Sequence, residues 1–408
     1  MIGKKHREQH MKYNFDEITD RRNTDSVKWE HDFIEAEYGD RNLLPLWIAD
    51  MDFVCAKPIV DALLERTRHG IYGYTQAGNK FYDAVINWNK KRHGLSIERE
   101  WLVFVPGIVP AIKYAIESFT ERGDGIVVQS PVFEPFSRAI ANAGCEVVNN
   151  SLKVDDGFYT MDYEDLREKT KDPGVKLMIL CSPHNPVGRV WTSGELEKAG
   201  RICLENGVKM IVDEIHSDII MKGNRHVPFA GLPDEMSQNA IVCVSPSKTF
   251  NLAGMQAGNL IIKDRSLRSA YMETLGRHSV GWTNPFATAS LVAAYNEGGE
   301  WFGQVMEYLE ANVDFMEAFI RERMPDVGFR RPQGTYLAWL DFGKYAETNA
   351  ELEDLMRKRA KIALDEGHLF GPGGEGFVRV NFACPRQVLE DCLVRMERAV
   401  HGKNKRVE

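Results

Sequence analysis

Between residues 101 and 263 the sequence switches repeatedly between two hydrophobic rhythms. Short apolar runs, many of them β-branched, fall at 101–105, 126–129, 146–149, 175–181, 208–212, 240–244 and 259–263. Helical stripes separate them; Ile112, Ala115, Ile116 and Phe119, for example, share one helix face. Strands that alternate with helices predict an α/β fold with a doubly wound, mostly parallel sheet. The run at 175–181 is apolar almost throughout, as a strand covered on both faces requires. Ligands on such sheets sit outside the carboxyl ends of the strands. The residues just past each run are therefore the candidates for function.

The run at 240–244 feeds into Ser245-Pro246-Ser247-Lys248-Thr249-Phe250. Two hydroxyls able to donate to a phosphate thus stand beside an amine able to form an imine with an aldehyde. Pyridoxal phosphate carries both groups, and enzymes that use it hold it on a lysine. A solvated lysine in a turn is the plainer alternative for these residues alone. The run at 208–212 meets Asp213, and a carboxylate at a buried strand end is costly without a positive partner. A protonated pyridine nitrogen is one such partner; a helix N-cap is the other use for this aspartate. The strand at 101–105 runs into a turn at Gly107, with Pro110 expected as the first helical residue. Such a turn, with outward backbone N–H groups at a helix start, is a ready anion site, although many strand-to-helix turns bind nothing. Phe133 follows the strand at 126–129 and is placed either to stack on a ring or to pack in the core. Asn185 lies in the stiff loop 182–188, which holds two prolines and a glycine. Thr192 and Glu195 have capping-box spacing at the next helix.

The remaining chain sets limits. A net charge of −8 argues against nucleic-acid binding, and no apolar run approaches membrane-spanning length. Seven cysteines, none spaced C-x-x-C, fit reduced thiols in a cytoplasmic protein. His216 has no second ligand at a metal-binding spacing, so no metal is expected. Residues 1–12 read as a disordered leader, and 402–408 as a frayed end. Residues 13–57 read as an arm with few helical signals that joins the smaller domain. Residues 58–290 form the large domain and 291–408 a smaller α+β domain. Tyr72 and Tyr74 point the same way if their segment is extended. Helices are expected at 58–69, 81–93, 285–295, 301–323, 349–363 and 385–400, and strands at 334–342 and 377–382.

The order of these motifs, from Tyr13 to the end, resembles the aspartate-aminotransferase fold type of pyridoxal-phosphate enzymes. More narrowly it resembles the MalY/PatB-like cystathionine β-lyases, a subgroup of bacterial C–S lyases. The matching stretches are 49–53, 69–74, 213–218, the lysine segment, 376–381 and 384–386. The resemblance implies fold type I, with a seven-stranded-type sheet and pyridoxal 5'-phosphate as cofactor. It implies that Lys248 holds the cofactor and removes the α-proton, and that Asp213 pairs with the pyridine nitrogen. Asn185 and His216 stand near the ring oxygen, and Phe133 stacks on the ring. Ile108, Val109, Ser245 and Ser247 hold the phosphate, with Tyr74 contributed by the second subunit of a homodimer. Arg379 takes the substrate carboxylate, beside Ala49 and Asn185.

Three positions depart from the aminotransferase or lyase pattern. Gln256 stands where aminotransferases of this fold carry arginine, and His216 where they carry tyrosine. Phe133 stands where the lyase subgroup has tyrosine, which removes a hydroxyl from the leaving-group side. The first two favour elimination from a small sulfur-containing amino acid over transamination. An aminotransferase is the first alternative, and a regulator that binds a transcription factor is the alternative from another class.

Overall fold

The computed structural model describes residues 11–404, so most of the expected leader and the last four residues lie outside it. The large sheet is built from β1 (Leu102–Val105), β2 (Gly125–Val128), β3 (Glu146–Asn149), β4 (Val175–Cys181), β5 (Lys209–Asp213), β6 (Ala240–Val244) and β7 (Gly258–Ile261). Its seven strands run in the order β1-β7-β6-β5-β4-β2-β3. All neighbours are parallel except β7, which is antiparallel to both β1 and β6. Side chains alternate between two apolar layers. Leu177, Ile179, Ile211, Ile241 and Cys243 face one layer; Met178, Leu180, Met210, Val212 and Val242 face the other. Period-two alternation with both faces apolar is why these runs look continuous in the sequence.

A second, antiparallel sheet follows, from β8 (Gly328–Phe329), β9 (Leu337–Asp341), β10 (Asp365–Glu366) and β11 (Phe377–Asn381), in the order β8-β9-β11-β10. Leu44–Pro45 pairs in parallel with Ile362–Ala363, which ties the segment before the large sheet to the C-terminal part. Among the described residues no helix is long and apolar enough to cross a membrane.

Several local expectations are corrected. The arm contains a helix, His31–Tyr38, which buries Ile34 and Tyr38 four residues apart and stops at Gly39 with φ 75°. One apolar pair is too short a stripe to stand out from sequence. The helix after β1 begins at Ile108, with Gly107 as its N-cap at φ 112°. Pro110 is thus the third helical residue rather than the first, still within the turn whose N–H groups lack helical partners. The helix expected at 349–363 stops earlier. Asn349–Glu353 continues into a π-helical turn, Asp354–Ala360, which Lys361 ends in the left-handed region at φ 59°. Ile362 and Ala363 are drawn into the pairing with the arm instead, a tertiary demand that local pattern cannot show. A hairpin, Lys153–Asp155 with Phe158–Thr160, is not among the expected elements. Its turn, Asp156-Gly157, has φ 44° and 69°, and Asp-Gly is the signal that identifies such a turn. The closing helix, Arg386–Asn404, runs past the expected end at 400; residues 405–408 of the expected frayed end lie outside the described residues.

The capping box is realised in full. Thr192 accepts from the Glu195 N–H, and the Glu195 carboxylate accepts from the Thr192 N–H at 2.8 Å. Thr192→Ala is expected to cost the helix Ser193–Glu205 about 1 kcal/mol, or roughly fivefold faster amide exchange in its first turn. Hydrogen exchange read by mass spectrometry checks this, and unchanged exchange there would contradict the capping role.

Candidate active site

A cavity of about 290 Å³ opens at the carboxyl ends of the large sheet. Lys248 and Asp213 reach it from β6 and β5, and Cys181 from the end of β4. Ala49, Ile108, Val109, Phe133, Asn185, His216, Ser247 and Gln256 also line it. Residues from distant parts of the sequence thus meet where a doubly wound sheet is expected to bind a ligand.

Lys248 sits on a short helical turn, Pro246–Thr249, and its Nζ donates to the Ala49 carbonyl at 2.6 Å. Burial lowers the ammonium pKa, and the nearby Arg379 charge lowers it further. Asp50 and Asp213 oppose both, leaving it at about 8. The free amine is accordingly available near neutral pH, as an imine-forming lysine requires.

Asp213 is the last residue of β5, in register with Cys181 on one side and Cys243 on the other. Its Oδ1 accepts from the Ile215 N–H at 3.0 Å. Burial raises its carboxyl to about 6, against the pull of that hydrogen bond and of Lys248. Burial also pushes both flanking thiols up, and the Asp213 charge adds to the effect. A buried carboxylate held by one backbone N–H and flanked by neutral thiols suits a cationic partner.

The far end of the cavity suits an anion. Ile108 and Val109 open a helix whose first N–H groups have no partner within it. The Ser247 hydroxyl is nearby in the lining, whereas Ser245 is placed differently from expectation. Ser245 is buried outside the lining. Its hydroxyl accepts from the Ser247 N–H at 3.1 Å and also meets the Ala257 carbonyl and the Ser247 hydroxyl, each at 2.7 Å. It caps the lysine turn and orients Ser247. Among the described residues Lys248 is the sole cation in the lining; at Gln256 the chain turns through the left-handed region, φ 54°, and presents a neutral amide.

His216 is buried, and its ring meets the Tyr336 ring edge-on at 5.7 Å. Burial and the charges of Lys248 and Arg379 keep its imidazole neutral. Arg379, on β11, stands behind Asn185 rather than in the lining. Its Nη1 donates to Asn185 Oδ1 at 3.0 Å and its Nη2 to the Trp47 carbonyl at 2.9 Å. Asp365 forms an ion pair with it, and its Nε is buried without a partner. Tyr74 does not reach this chain's cavity: it is 94% exposed and packs its ring near Trp282.

These residues fit pyridoxal phosphate: an amine for the aldehyde, a carboxylate for the ring nitrogen, a helix start with a hydroxyl for the phosphate, and Phe133 as an aromatic wall. Sequence reasoning missed the groups behind the cavity. Arg21, Lys28 and Trp29 converge on Asp52. Tyr336 donates to the same Ala49 carbonyl as Lys248, at 2.8 Å. Two acids next to an apolar segment, Asp50 and Asp52, are the signal for buried cations, but nothing in local pattern says which ones.

The family model for aminotransferase class I and II matches residues 46–396. Cystathionine beta-lyase PatB of Bacillus subtilis is 44% identical over 387 residues, 95% of this chain and 100% of that one. The crystal structure of cystalysin from Treponema denticola, which contains a pyridoxal 5'-phosphate cofactor, superposes with a TM-score of 0.93 at 33% identity, covering 96% of this chain and 100% of that one. The PLP-bound C–S lyase of Staphylococcus hominis gives a TM-score of 0.88 at 34% identity over 96% and 98%.

In cofactor-free protein, acylation of Lys248 by acetic anhydride should titrate with a midpoint near 8, well below the 10.5 of an ordinary lysine. Peptide mapping across pH measures it, and an ordinary midpoint would contradict the burial argument. Asp213→Ala should cost turnover at least ~100-fold with little loss of melting temperature. An aggregating variant whose soluble fraction keeps normal specific activity would assign Asp213 a purely structural role.

Proposed function

The chain belongs to the aminotransferase class I and II family of pyridoxal-phosphate enzymes, and on that premise we propose that it is a C–S β-lyase. Its substrate is a cysteine S-conjugate such as cystathionine, which it converts to a thiol, pyruvate and ammonia. The observation that carries the reading is the meeting, in one cavity, of a half-buried amine with lowered pKa and a buried strand-end carboxylate. The neutral Gln256 and His216, together with the 44% identity to a cystathionine beta-lyase, support elimination over transamination.

When bound, the cofactor supplies an electron sink for the charge left on the substrate α-carbon. Asp213, as a carboxylate, holds a proton on the pyridine nitrogen and so keeps that sink open. The free amine of Lys248 takes the α-proton, and its ordinary basicity is lowered enough to do so near neutral pH. Arg379 is proposed to hold the substrate carboxylate: its buried, unpartnered Nε is a donor in need of an acceptor. Asn185 and Asp365 fix its guanidinium plane. Phe133 has no proton to give, and the Lys248 ammonium that has taken the α-proton serves as the acid for the departing sulfur. The carbon–sulfur electron pair leaves with the thiol, and the freed 2-aminoacrylate takes up water to give pyruvate and ammonia.

The proposed active form is a homodimer in which Tyr74 serves the cavity of a second copy. Its exposure supports this, as does that of Ile71 and Tyr72 close by in the chain and of Trp282, whose ring lies 5.5 Å from that of Tyr74. Seven free cysteines fit a reducing, cytoplasmic setting.

Purified holoenzyme given cystathionine and no oxo acid should release pyruvate and a thiol in equal amounts. A lactate dehydrogenase-coupled assay and thiol titration measure both. Turnover that appears only when an oxo acid is added would make the protein an aminotransferase instead.

A further inference from the structure

Residues 47–52 form a strap whose carbonyls from Trp47 to Met51 and both carboxylates accept hydrogen bonds. Its first half reaches the active site. The Trp47 carbonyl accepts from Arg379 Nη2 at 2.9 Å, and the Ala49 carbonyl accepts from Lys248 Nζ at 2.6 Å. Its second half is held at the backbone by Asn251, on the Met51 N–H and carbonyl, and by Asn381, on the Asp50 carbonyl at 2.6 Å, and at its two carboxylates by the N-terminal arm. Lys28 Nζ donates to Asp52 Oδ2 at 2.7 Å and to the Asp50 carbonyl at 3.3 Å, and lies 3.6 Å from Asp50 Oδ1. Arg21 binds Asp50 through both Nη atoms, at 2.9 and 2.6 Å, and Asp52 at 2.7 Å. Burial pushes the Asp50 carboxyl up. The Arg21 hydrogen bonds and the charges of Lys28 and Arg21 outweigh that and hold it below the usual range.

Lys28 is completely buried. A lysine taken wholly out of water is costly, and pairing it is weak evidence of a stability gain over an apolar residue. What the pair achieves here is geometric: an ammonium with three donors pins a carboxylate and a carbonyl two residues apart. Lys28 does not line the cavity.

We propose that Lys28 is a positioning residue for the active site. Its ammonium fixes the Asp50–Asp52 end of the strap, and the strap's Ala49 and Trp47 carbonyls thereby set Lys248 and Arg379 together. The inference rests on the proposed roles of Lys248 as the cofactor lysine and Arg379 as the carboxylate ligand.

The test uses full-length holoenzyme carrying Lys28→Met, assayed well below its melting temperature. Hydroxylamine should strip the cofactor from Lys248 at least fivefold faster. The unreactive acid 3-(methylthio)propionate should bind at least fivefold more weakly. A merely stabilising Lys28 would lower the melting temperature and move neither constant. Should the single variant fail to fold, Lys28→Met combined with Asp52→Asn removes the charge imbalance and is expected to show the same two changes. Wild-type values for either constant in a folded variant overturn the proposal, because one strap holds both residues. Borohydride reduction of unmutated holoenzyme separates the two failures. A label on another lysine sinks the reading of Lys248 and the proposal with it; a label on Lys248 with unmoved constants sinks the proposal alone.

Discussion

One hydrogen bond joins the two halves of this protein at the candidate active site: the Lys248 amine on the Ala49 carbonyl. The lysine comes from the large parallel sheet. The carbonyl comes from a segment that adds its neighbours Leu44–Pro45 to the C-terminal part of the chain. A desolvated amine with lowered pKa needs an acceptor that does not itself carry charge, and a backbone carbonyl is one. The same carbonyl takes the Tyr336 hydroxyl. The amine is therefore aimed by backbone that is itself held from two sides.

Around that bond the electrostatics balance in layers. Asp213 alone would be an expensive buried charge, and its raised pKa records the cost. The Ile215 N–H and the Lys248 charge are the groups that lower it. Arg379 adds positive charge on the far side, partly neutralised by Asp365. Asp50 adds negative charge and is in turn held by Arg21 and Lys28. The flanking cysteines, with thiols pushed up by burial, stay out of the balance. The anion end relies on helix N–H groups and a hydroxyl, without a guanidinium among the described lining residues.

Much of this architecture is legible in the order of residues alone. The seven apolar runs form the seven strands of one sheet, nearly residue for residue at 146–149, 175–181 and 240–244. Asp213 ends its strand, Lys248, Asn185 and Phe133 lie past theirs, and the parallel topology gathers all four in one cavity. The place of Ser245 is not legible, because the chemistry of a hydroxyl does not say which way it points; here it faces the Ala257 carbonyl. Arg379 is expected within the site, yet it lies outside the cavity lining with its Nη1 on Asn185, a relation set by how β11 packs on the loop after β4.

The strands of the large sheet, most of the helices and the chemical groups at their ends follow from residue order alone, because strand burial and helix capping are written in spacing along the chain. Which distant segments meet is set by tertiary packing. The arm's Arg21, Lys28 and Trp29 find Asp50 and Asp52, and residues 362–363 leave their helix to pair with Leu44–Pro45. Such contacts are non-local: their free energy is gained only once the chain has closed around a common core, so no window of neighbouring residues carries their signature.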